Sequence, residues 1–126
     1  MNKIFKCSVL LLSTFYIFIS CDKANKLPDP LEAGWKEKKV CTVLVDNEKV
    51  RALKCVFPPG VGHEKHFHAA HFAYTLSGSR FRMTDATGTR EVNVPKGYNY
   101  YKKEVKWHKA LNIGDSTAVF LIIEPK

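Results

Sequence analysis

The sequence predicts an all-β domain, a sandwich or barrel of short strands. Two observations carry that expectation. Beyond residue 38, runs of five to eight β-branched and apolar residues alternate with turn-forming clusters at regular spacing. No stretch repeats its apolar residues at the period of an amphipathic helix. A chain of 126 residues leaves room for one such domain.

The first segment must be set aside before the strands are read. Lys3 and Lys6 make a positive start, Val9 to Ile19 is an apolar run broken only by Ser13 and Thr14, and Ser20 precedes Cys21. These are the marks of a secretory signal over residues 1–20. The run is shorter than the roughly 20 residues of a spanning helix, which disfavours an uncleaved anchor. Phe18-Ile19-Ser20-Cys21 resembles the lipobox of bacterial lipoproteins, in which the cysteine after the cut carries lipid. Phe18 and Ile19 depart from the commonest form; Ser20 and Cys21 fit. Cys21 is therefore the expected lipidation site, and the protein is expected at a bacterial envelope, held by acyl chains. Residues 21–38, with Pro28, Pro30, Gly34 and several lysines, show no period and read as a tether and lead-in.

The strands then follow in order. Val40–Val45 and Val50–Phe57 flank the turn-prone Asp46-Asn47-Glu48-Lys49 and read as a hairpin. Pro58-Pro59-Gly60 ends the second strand, because proline cannot continue a ladder. Phe72–Leu76 stops at Ser77-Gly78-Ser79, and Arg80–Thr84 and Arg90–Val94 flank a polar turn. Val105–Leu111 and Ala118–Glu124 finish the chain around Asn112-Ile113-Gly114-Asp115. Alternation places Arg51 on the same face as Leu53, Cys55 and Phe57. If that face is interior, Arg51 is a candidate anchor for a substrate carboxylate; the alternative is an arginine at the strand's end reaching solvent.

The formal charge of +8 becomes +6 once Lys3 and Lys6 leave with the signal. Secretion makes nucleic acid an unlikely partner for that charge. The lysines at 23, 26, 36, 38 and 39 sit near the anchor and suit either anionic headgroups or simple solubility. Of four cysteines, Cys7 leaves with the signal and Cys21 takes lipid. Cys41 and Cys55 remain, as a disulfide or as two buried thiols.

Four of the five histidines fall in the nine residues from His63 to His71. His66 and His68 are two apart, so on an extended chain both rings leave the same face and can meet one metal at roughly 2 Å. Packing alone does not explain a paired HxH with two more histidines beside it. His71 is a further candidate ligand, given a bend near Ala69-Ala70. His63 sits at the entrance and reads as a neighbour of the site.

Gly60, five residues, His66-Phe67-His68 and then Gly78 resemble the first motif of the cupin superfamily. Pro95-Lys96-Gly97, with His108 followed after three residues by Asn112, echoes the second. The similarity extends from about Val43 to the end of the chain and resembles small single-domain cupins, including those associated with β-alanine degradation. It implies a cupin jelly-roll β-barrel over residues 39–126, with His66, His68 and His108 reaching a metal from different strands. It also implies a homodimer. Two departures matter: the motif's glutamate is absent, with Phe72 and Ala73 at its permitted positions, and the gap from Gly97 to His108 is longer than the motif's.

Three neutral imidazoles leave a divalent ion its full charge, which favours an anionic, chelating ligand. Nitrogen ligands suit Fe, Zn, Cu or Ni without choosing among them. Three-histidine cupin sites resemble those of iron dioxygenases acting on thiols or diketones. The expectation is thus a metal-dependent, dioxygenase-like enzyme acting on a small anionic metabolite, or a non-catalytic metal-dependent binding or sensing module. Arg51 and Tyr74 are the candidate substrate contacts, with Tyr98, Tyr100 and Tyr101 as further tyrosines.

Overall fold

The computed structural model describes residues 26–126; the expected signal 1–20 and Cys21 lie outside the described residues. The lead-in is packed against the domain from Pro28 onward. Asp29 Oδ1 accepts the amides of Leu31 and Glu32 at 2.9 and 2.8 Å, and the Glu32 carboxylate accepts the Asp29 amide in return. Pro30 and Ala33 are buried. A short pair, β1 (Gly34–Trp35) and β2 (Lys38–Lys39), follows. This order arises from side-chain capping and tertiary burial, neither of which leaves a period in sequence.

β3 (Cys41–Asp46) and β4 (Val50–Phe57) form the expected hairpin, its turn closed by Asn47 Oδ1 accepting the amides of Lys49 and Val50. Then come β5 (Gly62–His68), β6 (His71–Ser77), β7 (Ser79–Asp85), β8 (Gly88–Val94), β9 (Asn99–Lys102), β10 (Val105–Asn112) and β11 (Ala118–Pro125). The described residues contain no helix. β9 occupies the lengthened gap before His108, as an edge strand paired with β6.

One antiparallel sheet has the order β5-β10-β7-β8 and the other β3-β4-β11-β6-β9. They pack face to face over Leu53, Cys55, Phe57 and Ile122 from the larger sheet and Phe81 and Ala110 from the smaller. Phe57, Phe81 and Phe120 meet edge to face with centroids 5.6–5.9 Å apart. The architecture is the expected jelly roll, but the barrel is not closed: no ladder joins the two sheets. Burial between facing sheets, rather than continuous hydrogen bonding, holds the halves together.

Three residues fix the frame around the histidines. Trp35 lies against Gly62, where a Cβ would come within 2.7 Å of the indole and 2.4 Å of the Ala110 oxygen, so only glycine fits at the start of β5. Asn112 is fully buried and fully bonded, its amide donating to the Phe57 and Ser116 carbonyls and its oxygen accepting from Ser79 and the Gly114 amide. It locks the end of β10, the strand that carries His108.

Cys41 and Cys55 are a disulfide joining directly opposed residues of β3 and β4, with Cα atoms 4.0 Å apart. The link closes a segment of sequence separation 14. A Cys41→Ala/Cys55→Ala variant is expected to lose about 3 kcal/mol of unfolding free energy, the usual size for a loop of this length. Urea denaturation measures it; an unchanged midpoint would mean the crosslink adds nothing to stability.

Candidate metal centre

The site begins with two β-bulges. In the β5–β10 ladder, Ala110 faces His63 and His108 faces His66, so β5 carries an extra residue at Glu64-Lys65. That residue reverses the alternation, turning His63 inward with His66 and His68 despite its odd spacing. The step from Val105–His68 to His108–His66 puts the matching extra residue in β10. Val105 and His108 then both line the interior, while Trp107 stacks under Lys65 at 4.2 Å.

The Nε2 atoms of His66, His68 and His108 form a nearly equilateral triangle with edges of 3.0, 3.1 and 3.0 Å. His66 Nδ1 lies 2.6 Å from the Glu64 carbonyl and must donate to it, which leaves the His66 Nε2 lone pair aimed at the other two. An N–H···N bond at this distance can satisfy one pair of these nitrogens, whereas one shared cation satisfies all three lone pairs together. The donor set therefore fits a divalent metal.

His71 joins the larger sheet, across the Ala69-Ala70 bend, and does not converge with the three. Its ring stacks on His68 at 4.5 Å and its Nδ1 donates to the Ala69 carbonyl at 2.8 Å. Its Nε2 is buried and without a partner, as is His68 Nδ1. His63 stacks on His66 at 3.8 Å, and its Nε2 donates to the Pro30 carbonyl, so the lead-in holds it beside the triangle.

Burial is the first cause that lowers the pKa of all three triangle histidines and of His63; neighbouring rings lower His108, His68 and His63 further. His63 and His108 fall from 6.5 to about 3. In the unfolded chain these groups take up protons first, so the metal-free fold loses stability as the pH drops from 6.5 toward about 3. Each group contributes at most about 1.4 kcal/mol per pH unit in that window. Thermal melts of metal-free protein at pH 7.5 and 4.5 test this; equal midpoints would contradict neutral burial of the rings.

The triangle opens on a cavity of about 480 Å³ between the sheets. His68 and His108 stand in its wall with Phe81, Phe120, Met83 and Tyr100.

Two expected substrate contacts lie elsewhere. Arg51 does face the same side as Leu53, but its guanidinium is held by the protein's own carboxylates: Nη1 donates to Asp29 at 2.7 Å and Nε to Glu124. Those bonds raise its pKa above the ordinary arginine value against the effect of burial. Tyr74 points away from the cavity, because β6 turns His71, Ala73 and Thr75 inward and leaves Tyr74 on the outer face, 36% exposed. Tyr101 is likewise on the outside. From this region Tyr100 lines the cavity wall, and Tyr98 and Lys102 line its exposed rim. Lys102 escaped the sequence reading, although its period-two spacing from the two tyrosines was a usable signal.

No family model and no curated protein matches the chain. Solved structures do. A cupin domain from Bordetella pertussis is 27% identical, over 69% of this chain and 92% of that one, with a TM-score of 0.64. A double-stranded β-helix protein from Klebsiella pneumoniae is 16% identical over 70% and 72%, TM-score 0.57. A polyketide cyclase from Streptomyces resistomycificus is 23% identical over 73% and 67%, TM-score 0.55. The chain thus has the jelly-roll fold of cupin-domain proteins, and inside it a three-histidine cluster able to bind a divalent metal.

Proposed function

We propose that this protein is an envelope-anchored metal-binding cupin whose metal centre supports dioxygenase-like oxidation of a small anionic metabolite. The observation that carries the reading is the nitrogen triangle at the floor of an open cavity. One divalent ion would be held by His66, His68 and His108 together, with positions left open toward the cavity for a ligand; nitrogen donors suit iron, zinc, copper or nickel.

A bound divalent ion supplies Lewis acidity and open positions for a chelating anion. The chain's own residues do the rest. Glu64 fixes the His66 tautomer, His63 and His71 wall the triangle with flat rings, and the aromatic lining limits water. With no carboxylate beside the three histidines among the described residues, the ion would keep its full dipositive charge to attract the anion. Anchoring rests on the Lys3/Lys6 start, the apolar run and Ser20-Cys21.

A second reading, metal-dependent binding or sensing without turnover, draws on one feature. Asp85, the one carboxylate among the described residues of the cavity wall, is engaged by Thr87 and Arg90 and is held well below the usual carboxylate range, so it is a poor base.

Oxygen uptake by iron-loaded protein, screened with small carboxylates, thiols and diketones, decides between the two. Metal-dependent uptake with one of these classes supports the enzyme. Stoichiometric iron with ligand-induced spectral change and no uptake supports the binding module.

A further inference from the structure

The cavity above the triangle has a composition that a small hydrated anion does not explain. Its walls are Phe57, Phe81, Phe120, Met83, Val92 and Ile122, and its volume of about 480 Å³ is several times what one planar ring requires. An acid of two or three carbons would leave most of that apolar wall facing water.

The charges at the rim are unequal. Asp85 and Arg90 pair with one another at 2.8 Å. Lys102 has no carboxylate partner among the described residues, and its ammonium lies 5.5 Å from the centre of the Tyr100 ring. It also lines the same cavity as His68 and His108. One free cation therefore overlooks an apolar cavity whose floor is the metal triangle. Arg51, the expected anchor, is saturated by internal carboxylates and is outside the cavity.

We propose that the cavity binds a monocarboxylic acid with a flat, ring-sized apolar body, its carboxylate lying between Lys102 and the metal centre and its body against Phe81, Phe120, Met83 and Val92. The metal contact rests on the function proposed above; the Lys102 contact and the apolar wall do not.

The test uses the full chain loaded with zinc and three probes: 3-phenylpropionate, acetate and the neutral 3-phenylpropan-1-ol. Isothermal titration is expected to give 3-phenylpropionate at least roughly tenfold tighter binding than either of the others, because only it uses both the wall and the charge. Lys102→Met, at an exposed edge-strand position, should weaken the acid about tenfold and leave the alcohol unchanged.

Equal affinity for acetate and 3-phenylpropionate would overturn the apolar body, and an unchanged acid affinity in Lys102→Met would overturn the anchor. Absence of binding by all three would overturn both. The His66→Ala/His68→Ala protein separates this from the metal reading: elemental analysis reports the metal alone. Weakened acid binding that still depends on Lys102 in that protein would leave the ligand class standing without the metal.

Discussion

Replacing His66 and His68 together by alanine is expected to abolish stoichiometric metal retention. The two rings supply two of the three nitrogens, and the third, His108, has no other convergent donor among the described residues. Changing even a residue that only supports a ligand typically costs about 10–100-fold in affinity. Losing two ligands themselves should cost more than about 10²-fold, enough to strip the ion on dialysis. Elemental analysis of wild type and variant, with circular dichroism of both, reads the result. The variant should keep its β spectrum, because the core around Leu53, Phe57 and Phe81 is untouched. One metal per chain in wild type and none in a folded variant supports the triangle. Equal metal in both would move the site elsewhere, and none in either, even after reloading, would remove the metal centre altogether.

Arg51→Leu is expected to be strongly destabilising, at about 3–5 kcal/mol. Arg51 and Glu124 are directly opposed on β4 and β11, and Glu124 is only 5% exposed. Its Oε2 is held by Arg51 while its Oε1 has no partner, so removing the guanidinium strands a buried charge. Asp29 loses its ion partner at the same time. Hydrogen bonds from the Glu32 and Leu31 amides and from Arg51 hold the Asp29 carboxyl below the usual range against its burial, so part of the lead-in's attachment goes too. Urea denaturation measures the loss, and adding Glu124→Leu should recover much of it by removing the stranded charge. A loss below about 1 kcal/mol would place this pair with ordinary surface ion pairs.

The sequence was most informative where chemistry and period coincide. Val50–Phe57 was read to its observed boundaries because both the alternation and the following prolines are local. His66 and His68 share a face of β5 because a two-residue spacing on a strand needs no tertiary knowledge. β5 and β9 carry no strand signal in the sequence. Gly62–His68 is polar and lacks β-branched residues, and Asn99–Lys102 is short; both exist because a neighbouring strand pairs with them.

By itself the sequence determined an all-β domain and, on an extended chain, a histidine pair on one face; these follow from residue type and spacing, which alternation along an extended chain converts directly into geometry. The jelly roll, and His108 with Asn112 as the pair's distant counterpart, came from the resemblance to cupins. Only the tertiary structure decided the rest. It joined Cys41 to Cys55, brought His63 inward through a bulge, and kept His71 out of the triangle by placing it on the facing sheet. It also bound Arg51 to Asp29 and Glu124, and left Lys102 at the mouth of the cavity without a partner among the described residues. The reason is common to all five: strand register and sheet pairing join residues that lie far apart in the chain, and a bulge of one residue reverses which face a side chain takes.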